Sequence, residues 1–201
     1  GSGAEPFVFD GLNATMLADL NSGGGSDPEG FFASRGLVWF TADAGSGSEL
    51  HVTDGTTGGT RLVADVRPSG SAYAIPRFAT ATRLLFTATD DTHGRELWET
   101  DGTAAGTRLL LDIRPNGGSS PDNFMPVANG AVFSADDGSG LGAELWRTDG
   151  TVAGTYLVKD VEPGPGTAFQ FLFTPAVSVN DKLLFVADTS GEGIELWSSD
   201  G

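Results

Sequence analysis

The sequence predicts an all-β protein, a β-propeller of four-stranded blades. Three observations predict it: a short string that recurs along the chain, apolar segments of strand length between its copies, and connecting loops rich in Gly, Asp and Pro. A repeat of about 47 residues with four short strands has the size of a propeller blade. One such sheet cannot bury both of its faces, so neighbouring repeats must stack on one another.

The recurring string has the pattern Glu-Leu-x-x-x-Asp-Gly. Its four clear copies are Glu49–Gly55, Glu96–Gly102, Glu144–Gly150 and Glu195–Gly201. An altered fifth copy, Glu5–Gly11, opens the chain. The aspartates of the clear copies lie 47, 48 and 51 residues apart, which is the spacing of a structural repeat.

Each repeat predicts four strands, which we call a to d in chain order. In the second repeat these strands are Arg77–Thr80, Arg83–Ala88, Glu96–Thr100 and Thr107–Ile113. Strand b is nearly all apolar, which predicts burial on both faces. The Asp, Gly and Pro residues between the strands are typical of hairpin turns.

The predicted domain is one propeller that spans residues 1–201. Full blades are expected at residues 31–67, 77–114 and 124–162. Residues 5–20 supply strands c and d, and residues 171–200 supply strands a, b and c. If the N-terminal strand d pairs with the C-terminal three strands, a fourth blade closes and one strand c is left over. The open alternatives are a segment of a longer array and self-association through the incomplete blade.

The charge and composition exclude several classes of partner and site. A formal net charge of −16 repels the phosphates of nucleic acids and anionic membranes, whereas a glycan or a protein ligand stays compatible. The chain has no cysteine, which excludes disulfides and thiolate metal sites. No window approaches 18 apolar residues, so membrane insertion is not expected.

At the recurring string the chain resembles the bacterial family named for its ELWxxDGT repeat. The motif is intact at Glu96–Thr103 and Glu144–Thr151, and Glu195–Gly201 fits it up to the last residue. The copy at Glu49–Thr56 departs from it by having His51 in place of tryptophan. The resemblance implies a repeat propeller in a secreted or cell-surface bacterial protein, and it implies no catalytic residue.

The tryptophans and aspartates of the motif are predicted to be structural. We expect the tryptophans to pack between blades with their indole N–H hydrogen-bonded locally; the alternative is a stacking platform for sugars. We expect the aspartates to accept hydrogen bonds from turn N–H groups between strands c and d. These residues are Trp98, Trp146, Trp197, Asp54, Asp101 and Asp149.

Acidic residues in the loop between strands b and c form, with the motif glutamates, a candidate calcium site. Oxygen ligands on a glycine-rich loop suit Ca²⁺, which takes about 6–8 of them. No loop has the EF-hand pattern, so the alternative is a solvated turn in which the glutamate bonds a backbone N–H or an arginine. The candidate ligands are Asp43, Glu49, Asp90, Asp91, Glu96, Asp136, Asp137, Glu144, Asp188 and Glu195.

A second set of carboxylates recurs near the end of strand d. A ring of them would line a central channel and hold a cation, a hypothesis that rests on their period alone. Arg67 and Arg114 follow two of them by two residues, which predicts exposed ion pairs with those aspartates. The channel candidates are Asp19, Asp65, Asp112 and Asp160.

The sequence predicts binding rather than catalysis. It contains no nucleophile elbow, phosphate-binding loop, dinucleotide fingerprint or metalloprotease helix. The loops Pro68–Ile75, Pro115–Asn123 and Pro163–Ala168 differ from one another while the strands do not, which favours a binding or adhesion module. The alternatives are a structural or self-assembling spacer within a larger protein and, less favoured, a glycan-active enzyme.

Overall fold

The protein is described here by a computed structural model that covers residues 3–140, 142–161, 177–180, 182–189 and 193–199. Every described regular element is a β-strand, which confirms the all-β class. The strands pair antiparallel. In this part of the chain no helix has the length and apolar character needed to cross a membrane.

The strands follow one another into sheets in chain order. A hairpin comes first, with β1 (Phe7–Phe9) and β2 (Ala14–Met16). The first four-stranded sheet contains β3 (Glu29–Ser34), β4 (Leu37–Asp43), β5 (Ser48–Thr53) and β6 (Arg61–Ala64). The second contains β7 (Ile75–Ala79), β8 (Leu84–Asp90), β9 (Gly94–Thr100) and β10 (Arg108–Leu111).

Two further sheets complete the described fold. The third contains β11 (Asp122–Val127), β12 (Gly130–Asp136), β13 (Ala143–Thr148) and β14 (Tyr156–Lys159). The last has three strands, β15 (Val177–Val179), β16 (Lys182–Thr189) and β17 (Gly193–Ser199). The predicted order a-b-c-d is confirmed in the three complete sheets. Residues 162–176, with the loop Pro163–Ala168, lie outside the described residues.

Strand b is largely buried in each complete sheet. Trp39 and Phe40 in β4 have no exposed surface, and neither do the consecutive residues Leu84 and Leu85 in β8. Because consecutive residues of a strand point to opposite faces, both faces of these sheets are covered. Strand b is therefore nearly all apolar because it is buried on both faces, as the sequence predicts.

The chain divides into two compact units, residues 1–92 with 98–108 and residues 93–97 with 109–201. In the first unit, Trp39 and Leu50 of the first sheet share one apolar core with Leu84 and Phe86 of the second. This stacking of consecutive sheets confirms that a repeat buries its face against its neighbour.

The second unit has the same construction. Val132 and Leu145 of the third sheet share a core with Leu183 and Phe185 of the last sheet. Consecutive sheets thus pack face to face in both units. The third and last sheets therefore share a core in the same way as the first and second sheets do.

The closing pairing predicted for the fourth blade is not among the described strand pairs. Within its own unit, β2 pairs with β1. In the last sheet the described hydrogen-bonded neighbour of β17 is β16, and no strand d is described beside it. Leu196 of β17 is 70% exposed, whereas its counterparts Leu50, Leu97 and Leu145 are at most 3% exposed. Within its unit, no described residue therefore covers the Leu196 side chain.

Candidate functional site

The motif glutamates are buried at the start of strand c. Glu49, Glu96 and Glu144 are 2%, 0% and 3% exposed. A carboxylate is buried at tolerable cost only where hydrogen-bond donors replace its water. The donors here are backbone N–H groups from the loop that joins strand d to strand a of the following repeat.

Glu96 shows the arrangement in full. Its carboxylate accepts hydrogen bonds from the backbone N–H groups of Ile113 (3.2 Å), Arg114 (3.3 Å) and Ser119 (2.8 Å). The Ser119 hydroxyl donates a fourth. One side chain therefore fixes both ends of the loop between residues 113 and 119.

The other repeats use the same positions. Glu49 accepts from Val66 N at 3.1 Å and Ala72 N at 3.2 Å, and Glu144 accepts from Val161 N at 2.6 Å. The first donor follows its glutamate by 17 residues in all three repeats. We call this contact between a motif glutamate and its loop amides the glutamate clasp.

The altered first copy of the motif keeps the clasp. Glu5 is buried, and its carboxylate accepts from Leu20 N at 3.0 Å, Ser26 N at 3.2 Å and the Ser26 hydroxyl at 2.7 Å. This copy therefore keeps the glutamate of the motif, although Pro6 and Phe7 replace its leucine and tryptophan. In the last repeat Glu195 is exposed.

The clasps of Glu5, Glu49 and Glu96 also connect to the next sheet. The second donor position holds a small buried residue, and its carbonyl oxygen accepts a backbone hydrogen bond from the end of the following strand b. These pairs are Asp43 N to Ser26 O (2.8 Å), Thr89 N to Ala72 O (2.8 Å) and Asp136 N to Ser119 O (3.0 Å). Sequence reasoning missed these small residues, although Ala72 and Ser119 follow their glutamates by the same 23 residues.

The clasp corresponds to the alternative considered for the calcium candidates, a glutamate bonded to backbone N–H. Several loop aspartates accept turn N–H groups as well: Asp43 from Gly45 (2.7 Å), Asp90 from Thr92 (3.0 Å), Asp136 from Gly138 (2.7 Å) and Asp137 from Ser139 (2.8 Å). The side chain of Asp188 lies outside the described residues. Within the described ranges no three His, Asp or Glu side chains form a group that could hold a metal ion. Calcium binding stays a prediction.

The arginines after strand d bind different aspartates from those expected. Arg67 Nε lies 2.8 Å from Asp91 Oδ1, and Arg114 pairs with Asp136. The prediction of pairs with Asp65 and Asp112 was wrong. The loop that follows strand d leads into the next repeat. Each arginine therefore lies beside the b–c loop of that next repeat.

The channel candidates do not share one environment. Asp19 and Asp65 are exposed, whereas Asp112 and Asp160 are half-buried. The Oδ1 atoms of Asp112 and Asp160 are buried with no hydrogen-bond partner. Among the residues that the structure describes, these aspartates form no metal-binding group.

The motif aspartates organise the c–d turn, as predicted. Oδ1 of Asp101 accepts from Thr103 N (2.9 Å) and the Thr103 hydroxyl (2.7 Å), and the turns at Asp54 and Asp149 are built alike. These hydrogen bonds, first the one from the hydroxyl, lower the pKa of all three aspartates. The Asp-Gly-Thr-x-x-Gly-Thr segment is therefore a rigid turn.

The tryptophans of the motif pack as predicted but make no hydrogen bond. The rings of Trp98 and Trp146 lie 6.3 and 6.5 Å from those of Phe86 and Phe133 in strand b. Trp197 packs against the core of its own unit. The indole N–H of each is buried without a partner, so the expected local hydrogen bond was wrong. The rings of Trp98 and Trp146 face apolar neighbours, and the Lys159 ammonium lies 4.7 Å from the centre of the Trp197 ring. Ring faces occupied in this way favour packing over a sugar platform.

His51, which replaces a tryptophan, also packs. It is 1% exposed, stacks on Phe40 with centroids 5.6 Å apart, and its Nδ1 lies 3.1 Å from the carbonyl oxygen of Glu49. Burial lowers its pKa, so the ring is neutral near pH 7. It fills the tryptophan position as an aromatic side chain.

Burial also raises the pKa of Glu49 to about 7, despite opposing hydrogen bonds from Val66 and Ala72. A pKa near 7 suits general acid–base catalysis. However, both oxygens of Glu49 accept backbone hydrogen bonds and the side chain is closed to solvent. The perturbed pKa of Glu49 is therefore a property of the fold.

We expect the free energy of unfolding to fall as pH rises from about 4.5 to about 7. The folded state holds the Glu49 proton more tightly than the unfolded state, so the stabilising effect of protonation is complete below the unfolded pKa and lost at the folded pKa. A shift of this size corresponds to at most about 3 kcal/mol. Urea denaturation at a series of pH values measures it, and Glu49→Gln should show a shallower slope. Parallel curves for both proteins would contradict the assignment.

No family model matches the chain, and a search of curated proteins also gives no match.

Proposed function

We propose that the chain is a non-catalytic binding module on a β-propeller scaffold of the ELWxxDGT type, within a secreted or cell-surface bacterial protein. The glutamate clasp carries the proposal. It fixes the loops that follow strand d at both ends, as in residues 66–72 and 113–119. These loops differ in sequence, and anchored variable loops on a constant scaffold are typical of recognition surfaces.

The packing of the sheets supports the propeller. Consecutive sheets bury their faces against each other within each unit, as the blades of a propeller do. A closed ring of 201 residues would have a radius of gyration of about 17 Å. Small-angle X-ray scattering tests this value, and a clearly larger radius would exclude a closed ring.

A glycan array with the labelled chain tests the binding function. We expect retention of at least one glycan class, and loss of retention when Tyr73, an exposed side chain of the first anchored loop, is replaced by alanine. Val152, exposed on a c–d turn, provides the control substitution Val152→Ala. Release of shortened products from a bound glycan would overturn the non-catalytic proposal. Absence of retention for every glycan would overturn glycan binding.

Self-assembly is a second candidate, favoured because no strand d is described beside β17 and Leu196 is exposed. Its occupant would be strand β2 of a second copy, because β2 is a strand d without strands a and b, and its hairpin leaves Phe7 and Phe9 exposed. Light scattering after size exclusion should then show dimers or larger species that dissociate in Leu196→Asp but not in Val152→Asp. A monomer at all concentrations would overturn this candidate.

A further inference from the structure

A group of arginines surrounds the c–d turn of the second repeat, within the first unit. The chain has 11 basic side chains. Three of them contact this turn or the adjacent Glu99, and a fourth lies over the Trp39 ring that touches the turn. We call the group the arginine patch. Its members are Arg35, Arg61, Arg83 and Arg108.

One half of the patch surrounds Trp39. Arg35 lies in the tight turn between β3 and β4, and its guanidinium stands 5.7 Å from the centre of the Trp39 ring. The same ring lies against Gly102, where a Cβ would be 3.2 Å from Trp39 Cη2. Arg61 donates to the Gly102 carbonyl oxygen at 2.7 Å. Arg35 and Arg61 therefore flank one contact.

The other half is organised by a buried carboxylate. Arg108 Nε donates to Glu99 at 2.6 Å, and Arg83 Nε lies 3.9 Å from the same carboxylate. Arg83 also donates to the Gly106 carbonyl oxygen at 3.0 Å and lies 3.8 Å from Asp101. The Glu99 side chain is 4% exposed and that of Arg108 is 68% exposed, so the positive charge faces solvent and the negative charge lies beneath it.

This arrangement breaks the symmetry of the repeat. The position of Glu99 is occupied by Val52 in the first repeat and Arg147 in the third, so neither has a carboxylate there to hold two arginines. Four arginines against Glu99 and Asp101 leave a local excess of positive charge on a chain whose net charge is −16. A structural role common to all repeats does not account for it.

We propose that the arginine patch binds the carboxylate or sulfate groups of a short acidic oligosaccharide, an inference that rests on the proposed binding function. Guanidinium groups match such oxyanions through paired hydrogen bonds. The acidic remainder of the surface repels a long polyanion, but that repulsion is screened beyond about 8–10 Å at moderate salt. A ligand a few sugars long engages the patch without crossing the acidic surface.

Titration calorimetry with three tetrasaccharides tests the proposal: one sulfated and heparin-derived, one of uronic acids, and one neutral. We expect an acidic tetrasaccharide to bind at least tenfold more tightly than the neutral one, and more weakly as salt rises from 50 to 200 mM. The choice between the two acidic probes identifies the oxyanion. Equal binding of neutral and acidic sugars would overturn the inference.

Two variants and one control locate the site. Arg35→Gln removes a charge whose described contact is with the Trp39 ring, and Arg108→Gln removes the most exposed guanidinium of the Glu99 pair. Each should weaken acidic binding about tenfold, while Lys182→Gln on the exposed start of β16 should not. Thermal unfolding confirms that each variant is folded.

The outcomes separate this inference from the function on which it rests. If array glycans bind but the arginine variants bind them normally, the binding module stands and the arginine patch is excluded. If no glycan binds at all, both fail. If the patch variants change only the association of the chain with itself, the acidic ligand is another copy and the oligosaccharide proposal is overturned.

Discussion

Replacing Glu96 with alanine is expected to lower the free energy of unfolding by about 3–6 kcal/mol. The substitution leaves the N–H groups of Ile113, Arg114 and Ser119 without their acceptor in a buried loop. Each unsatisfied buried group costs about 1–3 kcal/mol. Because a domain of this kind is stable by only about 5–15 kcal/mol, urea denaturation should show a large shift of the midpoint.

The chain contains its own control for this prediction. Glu195 occupies the same motif position but is exposed, so Glu195→Ala should change the stability by less than about 0.5 kcal/mol. Glu96→Gln keeps one acceptor oxygen and should lie between the two. A loss below about 1 kcal/mol for Glu96→Ala would show that the glutamate clasp does not stabilise the loop.

Replacing Gly59 with alanine is expected to lower the melting temperature of the protein, although the change adds only one methyl group. Its Cβ would lie 2.0 Å from Asp54 Oδ1 and 2.2 Å from Asp54 Cγ, so the carboxylate must move. Asp54 then loses the hydrogen bonds from Thr56 N (2.9 Å) and the Thr56 hydroxyl (2.6 Å).

The neighbouring glycine is the matched control. A Cβ at Gly58 would meet nothing within 4 Å, so Gly58→Ala should be neutral or slightly stabilising. The melting temperatures of both variants, measured by tryptophan fluorescence, compare the two positions. Equal effects at residues 58 and 59 would mean that the Asp54 turn contributes nothing to stability.

Features set by neighbouring residues were predictable from the sequence. The four strands of a repeat follow from local patterning, and the Asp101 turn follows because its donor, Thr103, is two residues away. The Glu96 clasp was open to two interpretations, because its donors lie 17 to 23 residues further on. The spacing of the repeat shows which carboxylate recurs. It does not show which loop supplies the hydrogen-bond donors for that carboxylate.

The errors concern contacts between elements that are distant in sequence. The indole N–H of Trp146 was expected to find a local partner, but its surroundings are set by strand b and the apolar core around it. Arg67 was assigned to Asp65, but the fold brings Asp91, 24 residues away, within reach.

The glutamate clasp defines where the chain can be cut and lengthened. A clasp runs from Glu49 to Ala72, and the Ala72 carbonyl oxygen then bonds the second sheet. A segment that starts at strand a and ends at strand d would separate the glutamate from its loop, whereas one from Glu49 to Arg95 keeps them together. A cassette that adds or deletes a repeat without breaking a clasp therefore begins just before the motif glutamate.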